Sequence, residues 1–325
     1  MKFTESELHQ YAAPLSTTEE QHCKNAISMV RDALKPLGFT DDEKEIQPLY
    51  EDTYAYSLEM RTSGNQRKIK LLVQGSYANN TNIRGKSDVD VAVIQEEVFS
   101  TKYRTYVDPQ SDSDYGFTTA SPKSISFKDE VEECLRNKFG DDVERKNKSI
   151  KVHGNTYRKD ADTVPCRRYR DYSEDFRKDV NNYIGGIIII PDHGAPIINF
   201  PEQHIANGRA KNINTNKYYK KMVRIIKYIH YYMQICKYES AEPMSSFGLE
   251  SLLWNIPNGE FTKYISYGFI FKNLLDYLML NIDKLNEFHE ANGIKKLCPS
   301  DQQVKEYQEF IEDINRFFEY DYTAK

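Results

Sequence analysis

Cysteine and tryptophan are scarce in this 325-residue chain, which holds five of the first and one of the second. Cys23, Cys134, Cys166, Cys236 and Cys298 are scattered and form no C-x-x-C pair. That spacing points to neither a zinc site nor a disulfide framework, and reduced thiols in the cytoplasm are expected. Long apolar runs are also missing. The longest aliphatic stretch, residues 187–190, falls far short of the roughly 20 residues of a membrane span. The opening MKFTESELHQ holds no apolar run of the signal-peptide kind. A cytoplasmic protein without a membrane segment is therefore expected. Positive charge is not in excess: 44 Lys and Arg face 49 Asp and Glu, a net charge of -5. This balance disfavours a protein that coats long nucleic acid by counterion release, and leaves open the binding of a few phosphates at one site. No internal repeat or low-complexity tract is present.

What is there is a chain of ordinary globular composition, long enough for two packed lobes or one large domain with a helical annex. Residues 18–37 read as an amphipathic helix started by Thr17 or Thr18 with Glu19 and Glu20. KIKLLVQ (68–74) and DVDVAVI (88–94) read as strands, and 99–127 as a polar surface excursion. Residues 127–138 look helical, 149–165 suggest one or two more strands, and 187–190 with 197–198 flank the turn at Pro191 to Gly194 as a hairpin. From about residue 215 the pattern changes. Met222, Ile225, Ile226, Ile229 and Met233 follow helical spacing, and helices are expected through 246–254, 265–285 and 301–320. The expected architecture is α+β: residues 1–205 with mixed strands and helices, then residues 206–325 all helical, with an N-terminal helix that could belong to both.

The segment 73–94, VQGSYANNTNIRGKSDVDVAVI, carries the chemistry. A strand runs into Gly75 and Ser76, a turn is expected at Gly85 and Lys86, and Asp88 and Asp90 open the next strand. Residues two apart on a strand share a face, so both carboxylates project together while Val89, Val91 and Val93 face the other way. Such carboxylates repel one another unless a cation lies between them, and magnesium, which takes oxygen ligands shared with phosphates, suits that place. Gly75 lets backbone amides approach a phosphate, Ser76 offers a hydroxyl, and a helix beginning there would add a favourable dipole. A third carboxylate is expected on a later strand. Asp162, in the frame ADTVP, is preferred, with Asp160 as the alternative. Two metals about 3.5–4 Å apart stabilise both the entering and leaving oxygens of an in-line displacement.

Gly-Ser, then two acids one apart, then a later acid, resembles the nucleotidyltransferase superfamily of DNA polymerase β. QGSYANNTNI with SDVDVAV is similar to the bacterial cGAS/DncV-like nucleotidyltransferases of CBASS anti-phage systems, as are ADTVPC, NFPEQHIANGRAKNINT, YKKMVRIIK and SSFGLESLLWNIPN, spread over roughly residues 15–260. The resemblance implies a two-lobed fold, a mixed-sheet lobe and a helical lobe with the active site in the cleft between them. It implies a synthase that condenses nucleoside triphosphates into a cyclic di- or trinucleotide with release of pyrophosphate, and a separate effector protein that senses the product. Asp88, Asp90 and Asp162 match the family's metal-binding carboxylates, with two Mg2+ ions or Mn2+ in their place, and Gly75 and Ser76 its triphosphate-binding pair. Lys227 resembles a phosphate-contacting lysine, with Lys220, Lys221 and Arg224 as competitors. Ser246 and Phe247 resemble a serine–aromatic pair that meets a phosphate and stacks on a base, against plain core packing for Phe247; Trp254 is expected in the core. No His/Cys cluster like the zinc insertion of the animal relatives is present, so zinc-dependent DNA binding is not expected, and His153, His193 and His204 show no metal-ligand spacing.

Two other readings use the same residues. One is transfer of a nucleotide to an RNA end, a protein or a small molecule; the acidic balance disfavours RNA. The other is a non-catalytic nucleotide-binding regulator, disfavoured because the carboxylates are all present.

Overall fold

The computed structural model describes residues 1–41, 46–50, 53–83, 88–121 and 123–323. The turn expected at Gly85 and Lys86 lies outside the described residues. In chain order the chain opens with β1 (Lys2–Thr4), α1 (Glu5–Tyr11) and α2 (Thr17–Leu34). Then follow β2 (Gln47–Pro48), β3 (Tyr56–Arg61), β4 (Lys68–Gln74), the single turn α3 (Gly75–Ala78) and β5 (Val89–Lys102). The middle adds α4 (Phe127–Phe139), β6 (Val143–Arg145), β7 (Ile150–Val152), β8 (Ala161–Asp171), β9 (Ile184–Ile189) and β10 (Ile197–Asn199). The remainder is α5 (Pro201–Asn214), α6 (Tyr218–Ile235), α7 (Ser246–Trp254), α8 (Tyr267–Leu280), α9 (Asp301–Phe317) and β11 (Glu319–Asp321).

These elements group into two compact units. A sheet unit comprises Ser16–Gly75 and Asp88–Glu202; a helical unit comprises Met1–Leu15, Ser76–Ser87 and Gln203–Lys325. The chain enters the helical unit for good at Gln203, and its two earlier segments are grouped with the helices as well.

In the sheet unit the strand order is β10-β9-β8-β5-β4-β3-β2, with β7 also on β8 and β6 on β7. β5 and β8 form a parallel pair at the centre. Val89, Val91, Ala92, Val93 and Ile94 are all buried, the continuous apolar run of a strand covered on both faces. β5 is longer than its alternating start predicts. After a register shift between Gln95 and Phe99 it stays paired, Phe99 with Arg168 through Lys102 with Asp171. The polar excursion therefore begins beyond Lys102, not at 99: the irregularity re-aims the strand, and Phe99 lies 3.8 Å from the Arg170 guanidinium. α2 starts one residue earlier than its threonines suggest. Ser16 is the cap, accepting from Glu19 N while the Glu19 carboxylate accepts from Ser16 N, because a capping box needs the acid three residues on.

The helical unit is built on α6, whose Met222, Val223, Ile225, Ile226, Ile229 and Met233 are buried among Ile270, Phe271, Leu274 and Leu275 of α8 and Phe310, Ile311 and Ile314 of α9. The helix expected over 265–285 is two pieces, α8 and a 3-10 turn at Ile282–Glu287. The one expected over 301–320 stops at Phe317, and β11 then pairs in parallel with β1. Trp254 is half-buried and packs on this core. Among the described residues no helix is long and apolar enough to cross a membrane.

Candidate active site

The carboxylates collect in the sheet unit. Hydrogen-bonded pairing of β4 with β5 sets Asp90 opposite Gln74, and the parallel pairing of β5 with β8 sets it opposite Asp162. Register partners on neighbouring strands point to the same face, so Asp90 and Asp162 leave the sheet together. Burial pushes the Asp90 carboxyl up to about 7, with the negative charges of Asp162 and Asp88 adding to it. Asp162 is raised as well, by burial first and then by Asp88. In both, burial is the larger cause, and the crowding of carboxylates that sequence spacing predicted adds to it.

Lys151, the β7 register partner of Asp162, was not foreseen. Its Nζ lies 2.8 Å from Asp88 Oδ2 and 2.8 Å from Asp160 Oδ2. Burial opposes its charge, yet the hydrogen bonds to Asp160 and Asp88 hold its pKa well above the usual lysine range. Asp160 also accepts from Gly154 N at 2.6 Å. The two candidate third acids thus differ: Asp160 is engaged by Lys151 and a backbone amide, whereas Asp162 stands across from Asp90.

Gly75 follows directly on β4 with φ +70°, a conformation that favours glycine. A Cβ on it would lie 2.5 Å from Asp90 Oδ2, so the missing side chain keeps space beside that carboxylate. The single-turn α3 that begins here is too short to carry the dipole a longer helix would supply. Among the described residues no three His, Cys, Asp or Glu side chains are already gathered around one metal point, and Asp88 is turned onto Lys151. The donors nonetheless fit a hard divalent cation: all are carboxylate oxygens, two of them raised in pKa by burial and then by neighbouring carboxylates.

Of the other expected residues, Ser76, Lys227 and Ser246 meet in the helical unit, and Phe247 does not line their pocket. A pocket of about 420 Å³ is lined by Ser76, Lys227 and Ser246, together with Asn82, His230 and Gln234 among others. Of the four candidate cations, Lys227 lines it. Arg224 donates to the carbonyls of Ala12 and Asn80, and Lys221 lies over the Tyr218 and Tyr267 rings. Phe247 is half-buried and meets His204 edge-on at 4.8 Å between ring centroids.

Behind the pocket lies a buried polar cluster. Lys227 is 2% exposed, and its Nζ donates to Thr81 O at 3.0 Å and reaches Glu250 Oε2 at 3.3 Å. Thr81 Oγ1 donates to the same carboxylate at 2.7 Å, and His204 Nε2 meets its other oxygen at 2.8 Å. Burial works against the Glu250 charge, but His204 and Lys227 outweigh it and hold the carboxyl down at about 2. Thr81 N donates in turn to Ser76 O at 2.9 Å, so the cluster fixes the turn that presents Ser76. Sequence reasoning missed Thr81 and Glu250. The one available signal was a glutamate inside the apolar run FGLESLLW.

Comparison with known proteins bears on both units. Residues 57–179 match a nucleotidyltransferase domain model, and residues 206–319 match the cGAS/DncV-like nucleotidyltransferase C-terminal helical domain. A cyclic GMP-AMP synthase of Staphylococcus schleiferi is 47% identical over 98% of this chain and 98% of its own length. A cyclic dipyrimidine nucleotide synthase of Cecembia lonarensis is 34% identical, covering 91% of this chain and 90% of the relative. Among solved structures, the cyclic dinucleotide synthase of Elizabethkingia meningoseptica with GTP and Apcpp is 30% identical, with a TM-score of 0.71 over 97% of this chain and 98% of that one.

Proposed function

The chain belongs to the cGAS/DncV-like nucleotidyltransferases, within the polymerase β-like superfamily, and is a nucleotidyltransferase that synthesises a cyclic oligonucleotide; we propose that Asp88, Asp90 and Asp162 hold the divalent ions of that reaction. The observation that carries the site assignment is the pairing of Asp90 with Asp162 beside the space that Gly75 leaves open. Two magnesium ions there, or manganese in their place, would supply neutralisation of phosphate charge and stabilisation of the entering and leaving oxygens. The protein's own residues do the rest. Ser76 donates its hydroxyl to a terminal phosphate oxygen, and Ser246 donates a second. Lys227 acts as a point charge beside them. Lys151 balances the charges of Asp88 and Asp160, which lowers the cost of keeping so many carboxylates together.

The substrates we propose are ATP and GTP, because the relative at 47% identity is a cyclic GMP-AMP synthase. The product would activate a separate effector protein in an anti-phage response in the cytoplasm. The test is incubation of the purified protein with labelled ATP, GTP, CTP and UTP and magnesium or manganese, then phosphatase treatment. A resistant product made by the native chain and absent with Asp88→Asn/Asp90→Asn is expected, and omission of each nucleotide identifies the bases. Absence of product together with absence of binding of a non-hydrolysable triphosphate would overturn the reading.

A further inference from the structure

The pocket of the helical unit contains a polar side chain that no role above uses. Asn82 lines it with Ser76, Lys227 and Ser246. Asn82 is 2% exposed, and neither its Nδ2 nor its Oδ1 has a hydrogen-bond partner among the described residues. A buried carboxamide with both ends unpaired is unfavourable, and native proteins rarely leave one so without a use for it. Local slack does not account for it. The preceding residue is fixed from three directions: Thr81 N on Ser76 O, Thr81 O on Lys227 Nζ, and Thr81 Oγ1 on Glu250. The backbone that presents Asn82 is thus held in place, with the side-chain carboxamide unsatisfied.

The chemistry of the pocket lining narrows the ligand. Lysine offers donors without an acceptor, while a carboxamide offers two donors and an acceptor side by side. Lys227 and the two serines serve an anionic group; Asn82 adds a donor for an oxygen or ring nitrogen and an acceptor for a hydroxyl or an amine. A nucleoside triphosphate presents both kinds, phosphate oxygens at one end and ribose hydroxyls and base edges at the other. Resting on the reading of this pocket as a nucleoside triphosphate site, we infer that Asn82 is a substrate-contacting residue whose carboxamide hydrogen-bonds the bound nucleotide. A site built to pair a buried amide loses affinity when the amide is removed, and the protein alone does not.

The experiment compares the native chain with Asn82→Leu, which keeps the side-chain branching, and Asn82→Ala. Calorimetry measures binding of non-hydrolysable ATP and GTP analogues with magnesium, and thermal melts are taken without ligand. Both variants should bind the analogues at least about tenfold more weakly, the worth of one or two hydrogen bonds. Asn82→Leu should melt at or above the native temperature, since it removes unpaired buried atoms. A parallel titration with inorganic triphosphate locates the contact: weakening there assigns it to phosphate, and weakening confined to the analogues assigns it to the nucleoside. Unchanged analogue affinity, or a large drop in the melting temperature of Asn82→Leu, overturns the role of Asn82. Failure of the native chain to bind any analogue rejects the nucleotide reading of the pocket itself.

Discussion

Asp90 of β5 and Asp162 of β8 are register partners across the central parallel pair of the sheet; beyond burial, the charge of Asp162 raises the Asp90 carboxyl, and Asp88 raises both. An arrangement that is unfavourable alone becomes favourable when a divalent cation is added. Asp90→Asn and Asp162→Asn should each lower synthesis at least about 100-fold, since metal-ion stabilisation of transition-state charge is worth several kcal/mol. Chelation of divalent ions should abolish the native activity, with magnesium or manganese restoring it. Undiminished product in excess chelator would refute the assignment.

Asp160 provides the matched comparison. It sits two residues from Asp162 but is engaged by Lys151 and Gly154 N. Asp160→Asn should keep most of the synthase activity and lower the melting temperature modestly, whereas Asp162→Asn should do the reverse. Assaying and melting the two variants side by side decides which is the third acid.

Gly75→Ala tests the space beside Asp90. A Cβ there would meet Asp90 Oδ2 at 2.5 Å, and φ is +70°. The backbone conformation alone should cost about 1–2 kcal/mol of stability. Activity should fall further than stability does, because the displaced group is the Asp90 carboxylate. A variant that folds and retains full synthesis would remove the steric argument.

Glu250 gives a pH dependence with a definite sign. Its folded carboxyl is held at about 2 against an ordinary value of 4.5. A depressed carboxylate contributes stability that is fully present above its unfolded pKa and is lost as pH falls through the folded one. Glu250→Gln should therefore be less stable than the native chain near neutrality, and the gap should narrow steadily below about pH 4.5. Denaturant titrations at several pH values measure it. A gap that is constant down to about pH 2 would show that the charge of Glu250 contributes nothing.

Much of this was legible in the sequence for a simple reason. The alternation of Val89, Val91 and Val93 fixes the face on which Asp88 and Asp90 project, and the spacing from Met222 to Met233 fixes the buried side of α6, since both are local periodicities. Lys151 was not legible, because its value comes from a cross-strand register that no spacing along KSIKV reveals. Thr81 and Glu250 are 169 residues apart, and only folding makes them partners. The continuation of β5 past Gln95 was hidden by the register shift, which breaks the two-residue repeat where the strand persists. Asn82 was visible as a letter in QGSYANNTNI, but its unpaired burial is a property of three dimensions.

The pairing of β1 with β11 has a consequence for synthesis on the ribosome. Every strand of the large sheet has been made once residue 199 has emerged, whereas Lys2–Thr4 wait for Glu319–Asp321 before their ladder can close. The helical unit is therefore completed after the sheet, although it also holds residues 1–15, which are made before any strand of that sheet. During that interval the residues of α1 and the Ser76 segment are without their final neighbours from α6 to α9. A chain released early would carry a finished sheet beside an unfinished helical unit, the species on which chaperones and proteases would act.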